Sequence, residues 1–345
     1  MKNTVLITGG TGYIGTHITE QLLEKGYHVK LAVRDAGYKS KFEYLTDAAN
    51  LSSGTLEIFQ ADLLVKGSFD EAAKGCSAIF HVASPFKLKF DDAVKELVEP
   101  ALEGTKNVLG AATKSGTVKK VILTSSVAAV HGDNIDMQEI GIEEFTEEHY
   151  NTSSSIEHQP YSYSKVTAEK EAWSIYEKQD AWELAVINPS FVMGPSLSET
   201  SQSGSLSFMK DMLRGKYQMG APLLTFGFVD VRDVAKAHIL ALENKESKGR
   251  YILAERVITV FEFSQIIKNL YGKRYRLPIT ESPKFMLYMV GWMFGLTGKF
   301  IKRNVGYPIK LNTQKSKKQL GLKYTPLEQT IEDMIVQMQE QEVIS

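Results

Sequence analysis

The chain has 345 residues, 43% of them hydrophobic and 23% charged, with a formal net charge of −1 and a single cysteine. That length exceeds one typical domain, and the near-neutral balance argues against a nucleic-acid-binding surface. Cys76 alone rules out an internal disulfide and a cysteine-based zinc cage; no metal site is expected, and the low cysteine usage fits a reducing, cytoplasmic setting. The longest apolar stretch, residues 285–296, is too short to span a bilayer, and no secretory signal is visible, so membrane association is not expected.

The first predicted element is a strand. Thr4, Val5, Leu6 and Ile7 run into Thr8-Gly9-Gly10-Thr11-Gly12-Tyr13-Ile14-Gly15, where a helical pattern of Ile14, Ile18 and Leu22 begins. Strand, tight turn and helix are the context of a dinucleotide-binding fingerprint, here spaced G-x-x-G-x-x-G at Gly9, Gly12 and Gly15. One glycine permits the turn, one lets a pyrophosphate approach bare backbone, and one lets helix and strand pack closely. The helix N-terminus offers free N–H groups and partial positive charge, which makes Thr11, Tyr13 and Ile14 further cofactor candidates.

The wording of residues 8–15 resembles the extended branch of the short-chain dehydrogenase/reductase superfamily. The resemblance implies an α/β fold: a Rossmann-type doubly wound parallel sheet with a smaller C-terminal α/β substrate lobe. Residues 1–190 are expected to bind the dinucleotide, with a returning segment near 225–255, and residues 191–345 mainly the substrate.

The second strand, residues 28–33, ends at Arg34-Asp35, where a dinucleotide's adenine ribose lies. A carboxylate there suits a free 2′-hydroxyl and an arginine a 2′-phosphate. Arg34 comes first and Lys39 and Lys41 follow, which favours NADP(H) over NAD(H), the alternative. A similar strand end with a following lysine binds that phosphate in dihydroflavonol reductase-like members. After the third strand, residues 55–59, come Asp62 and Leu63; similar pairs in the family lie against adenine, although Asp62 could also cap a helix over 68–74. The fourth strand, residues 78–82, ends at Ala83, Ser84, Pro85 and Phe86. Small residues there leave room for the cofactor, and Ser84 and Phe86 are substrate candidates. His81 inside the strand reads as a core histidine.

A helical pattern over 91–115, bent near Pro100, caps at Gly116. The fifth strand, residues 118–123, delivers Thr124, Ser125 and Ser126 to the expected nicotinamide position, followed by His131. Residues 133–159 are polar and aperiodic and read as a surface loop. Then comes Pro160-Tyr161-Ser162-Tyr163-Ser164-Lys165, in which Pro160 suits a first helical turn and Tyr161 and Lys165 share one face. An ammonium one turn away helps a phenol act as an acid near neutral pH although its free pKa is near 10.

This pair matches the superfamily's Tyr-x-x-x-Lys. The resemblance implies that Tyr161 is the general acid, that Lys165 tunes it and binds the nicotinamide ribose, and that Ser126 polarises the carbonyl, with Ser125 as the alternative. Thr124 belongs to the cofactor side. His131 stands where plant flavonoid reductases carry a substrate-contacting asparagine, which argues against a flavonoid and leaves His131 as a second donor to substrate or a loop residue. The sixth strand, residues 184–187, runs to Pro189 and Val192, in a segment that covers the nicotinamide in relatives.

Further on, residues 196–205 read as a mobile serine-rich flap, and Leu206, Met209 and Leu213 as one face of a helix. Residues 226–235 read as strand then helix, with Arg232 and Asp233 in packing and capping roles. A short strand over 250–253 and a helix over 259–271 follow. The Met- and aromatic-rich stretch at 285–296 reads as core or a substrate lid, and Leu327, Ile331, Met334, Ile335 and Met338 as the buried face of a final helix.

The pattern of residues 161–173 resembles the dihydroflavonol, cinnamoyl-CoA and ketone/aldehyde reductase group. It implies NADPH-dependent reduction of a small-molecule ketone or aldehyde to an alcohol, with a homodimer common in the superfamily. The alternatives are an NAD-dependent nucleotide-sugar epimerase or dehydratase, a 3β-hydroxysteroid-type dehydrogenase, and a non-enzymatic cofactor sensor.

Overall fold

Short buried strands alternate with helices through the first half of the chain: β1 (Thr4–Thr8), α1 (Tyr13–Glu24), β2 (His28–Val33), α2 (Glu43–Leu51), β3 (Thr55–Gln60), α3 (Asp70–Ala73), β4 (Ala78–His81), α4 (Glu99–Ser115), β5 (Lys120–Thr124), α5 (Asp136–Glu139), α6 (Pro160–Tyr176) and β6 (Glu183–Pro189). The structure, a computed structural model, describes residues 3–84, 90–198 and 203–344, leaving aside the side chains of Met293 and Phe294. The second half contributes β7 (Phe191–Met193), α7 (Gly204–Leu213), β8 (Ala221–Pro222), β9 (Thr225–Asp230), α8 (Val231–Glu243), β10 (Gly249–Leu253), β11 (Arg256–Thr259), α9 (Val260–Tyr271), β12 (Glu281–Ser282), α10 (Lys284–Val290), α11 (Gly298–Asn304), α12 (Gln314–Gln319) and α13 (Leu327–Glu340).

Seven strands form one parallel sheet in the order β10-β6-β5-β4-β1-β2-β3. Successive side chains point to opposite faces, so Val5 and Ile7 join one buried cluster and Leu6 the other. Helices on both faces bury the strands from each side, as a parallel sheet requires. The order reverses between β1 and β4, and a ligand crevice forms at such a switch point, beyond the carboxyl ends of the strands. A second lobe is built around the three-stranded sheet β11-β9-β7 and α7, α9 and α13, with Met209, Phe228, Phe263 and Ile331 in its core. Thr259 opens α9 with a complete capping box to Glu262.

Several sequence expectations need correction. Pro100 sits in the first turn of α4, which continues directly from a π-turn at Val94–Val98, so the irregularity of the helical run falls in the turn just before the proline, whose missing N–H cannot join the ladder. Residues 133–159 are not a surface loop, because Asp133, Asn134, Phe145, Asn151 and His158 are all buried. Capping of α8 falls to Asp230, whose side chain accepts from Arg232 N at 2.7 Å, whereas Asp233 accepts from Thr325 N at 2.6 Å. The serine-rich stretch is partly outside the described residues, and its described flanks are pinned: Ser196 N donates to Gln337 Oε1 at 2.9 Å, and Ser203 caps α7.

The stretch at 285–296 is core only at Leu287, with Leu296 packed against the second lobe's cluster. Phe285, Tyr288, Met289 and Trp292 are 68%, 50%, 62% and 75% exposed, and only Leu287 of α10 is buried. None of these four lines the cleft described below, so they form no lid over it. No helix among the described residues is long and apolar enough to cross a membrane.

Candidate active site

The glycine turn shows why each residue is small. A Cβ on Gly9 would lie 2.6 Å from Ala83 N, one on Gly10 2.4 Å from Leu31 Cδ1, and one on Gly15 2.0 Å from Gly9 O. At Gly12 the nearest atom, Gly9 O, is 3.3 Å away, a tight contact but far less severe than the other three, so Gly12 has the least packing reason to be small and faces the cleft. No side chain caps α1, which leaves the first-turn N–H groups facing an anion site. The Tyr13 side chain is not part of that site: its hydroxyl donates to Gly194 O at 2.6 Å and ties α1 to the end of β7, so only its backbone faces a ligand.

Beyond the turn lies a cleft of about 1590 Å³. It is lined by Gly9, Thr11, Gly12, Tyr13, Ile14 and Gly15, by Arg34, Asp62 and Leu63, and by Ala83, Ser84 and Thr124. Ser126, His131, Tyr161, Lys165, Pro189 and Val192 line the same cleft. Lys41 does not: it is exposed on the turn after β2, its Nζ 5.2 Å from the Tyr38 ring centre. Phe86 lies outside the described residues. Asp62 does not cap α3, whose N-cap is Phe69; its Oδ1 accepts from Leu64 N at 2.8 Å in a local turn.

At the end of β2 the two charges divide their work. Asp35 Oδ1 accepts from Gly37 N at 2.8 Å, turning the carboxylate into its own loop. Arg34 is exposed on the cleft. A cation without a competing carboxylate at this point fits a 2′-phosphate better than a free ribose hydroxyl.

Tyr161 and Lys165 project from the first turns of α6, with Lys165 Nζ 5.5 Å from the phenol ring centre. Burial pushes the phenol up to about 12, so it holds its proton at neutral pH. Burial pulls the Lys165 ammonium down to about 8, against the pull of Glu169, which favours the charged form. Ser126, two residues beyond β5, is extended, and its Oγ accepts from Ala128 N at 3.1 Å, which fixes the oxygen and leaves its proton to donate into the cleft. Ser125 is taken out of contention: its hydroxyl donates to the buried Glu169 carboxylate.

That Glu169 is the centre of a polar cluster not anticipated from the sequence. It receives Asn188 Nδ2 at 2.7 Å and pairs with Arg250 Nε at 2.5 Å, while Asn188 also donates to Ser126 O at 3.1 Å. Glu169 stands four residues after Lys165, and that spacing alone placed a charge on the catalytic face. His81, as expected, is core: it bonds Thr8 Oγ1 at 2.9 Å, and burial and then Lys165 hold it down to about 3.

His131 is buried, stacks on Phe145 at 4.7 Å, and has no hydrogen-bond partner on either ring nitrogen among the described residues. Burial holds it down to about 4, so it is neutral, with one donor and one acceptor. It lines both the cleft and a small neighbouring cavity of about 270 Å³.

The profile of the NAD dependent epimerase/dehydratase family matches residues 5–254. The chain is 34% identical to cinnamoyl-CoA reductase CAD2 of Medicago truncatula, over 99% of this chain and 97% of that protein. Its fold is similar to that of Gre2 from Candida albicans in complex with NADPH, with a TM-score of 0.75 and 31% identity over 98% of this chain and 99% of that one. It is also similar to yeast methylglyoxal/isovaleraldehyde reductase Gre2 complexed with NADPH, with a TM-score of 0.74 and 28% identity over 99% of both chains.

Proposed function

The chain belongs to the NAD dependent epimerase/dehydratase family, as an NAD(P)-dependent oxidoreductase of the extended short-chain type, and from that premise we propose that it reduces a ketone or aldehyde to an alcohol with NADPH. The observation that carries this reading is that Ser126, Tyr161 and Lys165 line the same cleft as the uncapped glycine turn. Residues 1–190 with the returning 225–255 segment are assigned to the cofactor and 191–345 mainly to the substrate. The choice of NADPH over NADH is supported by Arg34 on the cleft with Asp35 turned away, and by the NADPH bound in both similar Gre2 structures. The pyrophosphate is assigned to the backbone at Thr11–Gly15, with Gly12 leaving the room for it.

When bound, the dinucleotide supplies the hydride. Ser126 Oγ donates to the carbonyl oxygen and orients it. Tyr161, still protonated because burial raises it, gives its proton to that oxygen as charge develops there. Lys165 stabilises the phenolate left behind, which favours the transfer. His131 offers a second polar contact to the substrate. Among the described residues beyond 191 that line the cleft, Lys210 is the one cation, beside Phe191, Leu224, Phe226 and Phe300. That lining supports an uncharged, partly apolar carbonyl compound over a nucleotide diphosphate sugar.

The test is Tyr161→Phe, assayed by NADPH absorbance over a panel of aromatic and aliphatic ketones and aldehydes. Turnover should fall by about 100-fold or more while NADPH still binds. Undiminished turnover would overturn the acid role. A cytoplasmic homodimer is part of the same proposal, and sedimentation of the purified protein checks its mass.

A further inference from the structure

We infer that Asp133 and Gln159 are positioning residues that couple the α11 segment of the substrate lobe to the placement of Tyr161; the inference rests on the reading of Tyr161 as proton donor. Asp133 follows the cleft residue His131 by two positions and is fully buried. A buried carboxylate is tolerated only when its oxygens are paired. Here four donors do so, and they come from two directions. Gln159 Nε2 reaches Oδ1 at 2.6 Å, and His158 Nε2 is 2.9 Å from both oxygens. From α11, Asn304 Nδ2 reaches Oδ1 at 2.6 Å and Arg303 Nε reaches Oδ2 at 2.5 Å.

Gln159 stands at the start of the catalytic helix. It is the N-cap of α6, two residues before Tyr161, and holds a left-handed backbone at φ 58° and ψ 56°. A residue with a Cβ adopts that conformation only when its surroundings impose it. No side chain caps this end of α6. The constraint comes from the Gln159 amide, which donates to Gly132 O at 3.1 Å and to Asp133. The left-handed turn sets the direction in which α6 departs, and Tyr161 lies on its first turn.

The other end of the linkage is in the cleft wall. Asn304 and Phe300 of α11 both line it, and Asn304 Oδ1 accepts from Asn134 N at 2.9 Å. Arg303 is fastened further by Asp136 at 3.1 Å and Glu139 at 2.7 Å. A shift of α11 on filling of the cleft is therefore passed through one buried carboxylate to the root of the phenol.

The experiment compares Gln159→Gly, Gln159→Asn, Asn304→Ala, the Gln159→Gly/Asn304→Ala double variant and Tyr161→Phe in the full chain. Glycine adopts the left-handed backbone without steric cost but gives up the amide's bond to the buried Asp133 carboxylate, so Gln159→Gly should melt lower than the parent while still folding and binding NADPH as tightly. Its kcat should fall about 10-fold or more, with a larger primary isotope effect from deuterated NADPH, because a small misplacement of a reacting group is expensive in rate. Asparagine tolerates the same backbone but has a shorter reach, so Gln159→Asn should lose kcat in the same way. In the double variant the two losses should not multiply, since either one severs the same linkage. Full kcat in both Gln159 variants, or losses that multiply, would overturn the coupling while Tyr161→Phe stays inactive. Full turnover in Tyr161→Phe would instead remove the reading beneath it.

Discussion

Replacing Lys165 with methionine should make the cofactor-free protein more stable and catalytically dead. Lys165 is 9% exposed, and burial brings its ammonium from 10.5 to about 8. The fold therefore disfavours the charged amine, and the difference corresponds to roughly 3 kcal/mol at neutral pH. The sign follows from the two protonation states. Below about pH 8 the amine is charged in both folded and unfolded chains, so the full penalty is present. Above 10.5 it is neutral in both, and the penalty vanishes. Methionine keeps the aliphatic contacts without the charge. For a chain of this length, roughly 3 kcal/mol moves the melting temperature by about 4 °C. The assay is thermal unfolding of both proteins at pH 7 and pH 9.5, where the gap should shrink to about 1.5 kcal/mol because the folded amine has already lost its proton. Cys76, pushed up to about 11 and not coupled to Lys165, is common to both proteins and cancels in the difference, and His81, which Lys165 helps hold down to about 3, stays neutral in the folded parent at both pH values. A variant that melts lower than the parent, or a gap that does not change with pH, would refute the claim that this ammonium is held at a cost.

Arg34→Ala should weaken NADPH by about 10- to 100-fold, as loss of a charge-assisted contact does, and leave NADH nearly untouched; fluorescence titration with each cofactor measures it, and equal losses would place the 2′-phosphate elsewhere. Gly12→Ala and Gly15→Ala should separate binding from folding. The first meets Gly9 O at 3.3 Å, a tight contact, and should lose little stability while losing NADPH affinity; the second puts a methyl 2.0 Å from Gly9 O and should lower both, by more than about 1–3 kcal/mol in stability. Equal melting temperatures for the two would contradict the packing described. Glu169→Gln breaks a buried pair with Arg250 and should cost about 3–5 kcal/mol in denaturant unfolding.

What could be taken from the sequence alone was whatever repeats along the chain with a local physical cause. The strand-turn-helix at residues 4–24, the strand ends at Arg34 and Thr124, and the Tyr161–Lys165 spacing are of this kind, and all lie on one cleft. Residues 133–159 were misjudged because polar, aperiodic segments are usually surface, and burial of this one depends on donors from α11, remote in sequence. The 285–296 stretch failed in the opposite sense. Its apolar composition suggested a core, but α10 is a short helix that buries only Leu287 and turns its aromatic residues outward.

The adjacent serines show where such reasoning stops. Ser125 and Ser126 have the same side chain, follow the same strand and both line the cleft. Which of them can turn its hydroxyl to a substrate depends on what else lies within reach. The Glu169 carboxylate, brought by α6 and held by Arg250 from β10, takes the Ser125 hydroxyl. Asn188 of β6 joins the two halves, donating to Glu169 and to the Ser126 carbonyl. The orientation of the serine assigned to the substrate is thus set by three residues from three other elements, each satisfying a buried charge or its partner. A local pattern can nominate a pair of candidates; choosing between them requires knowing where the buried carboxylate lies.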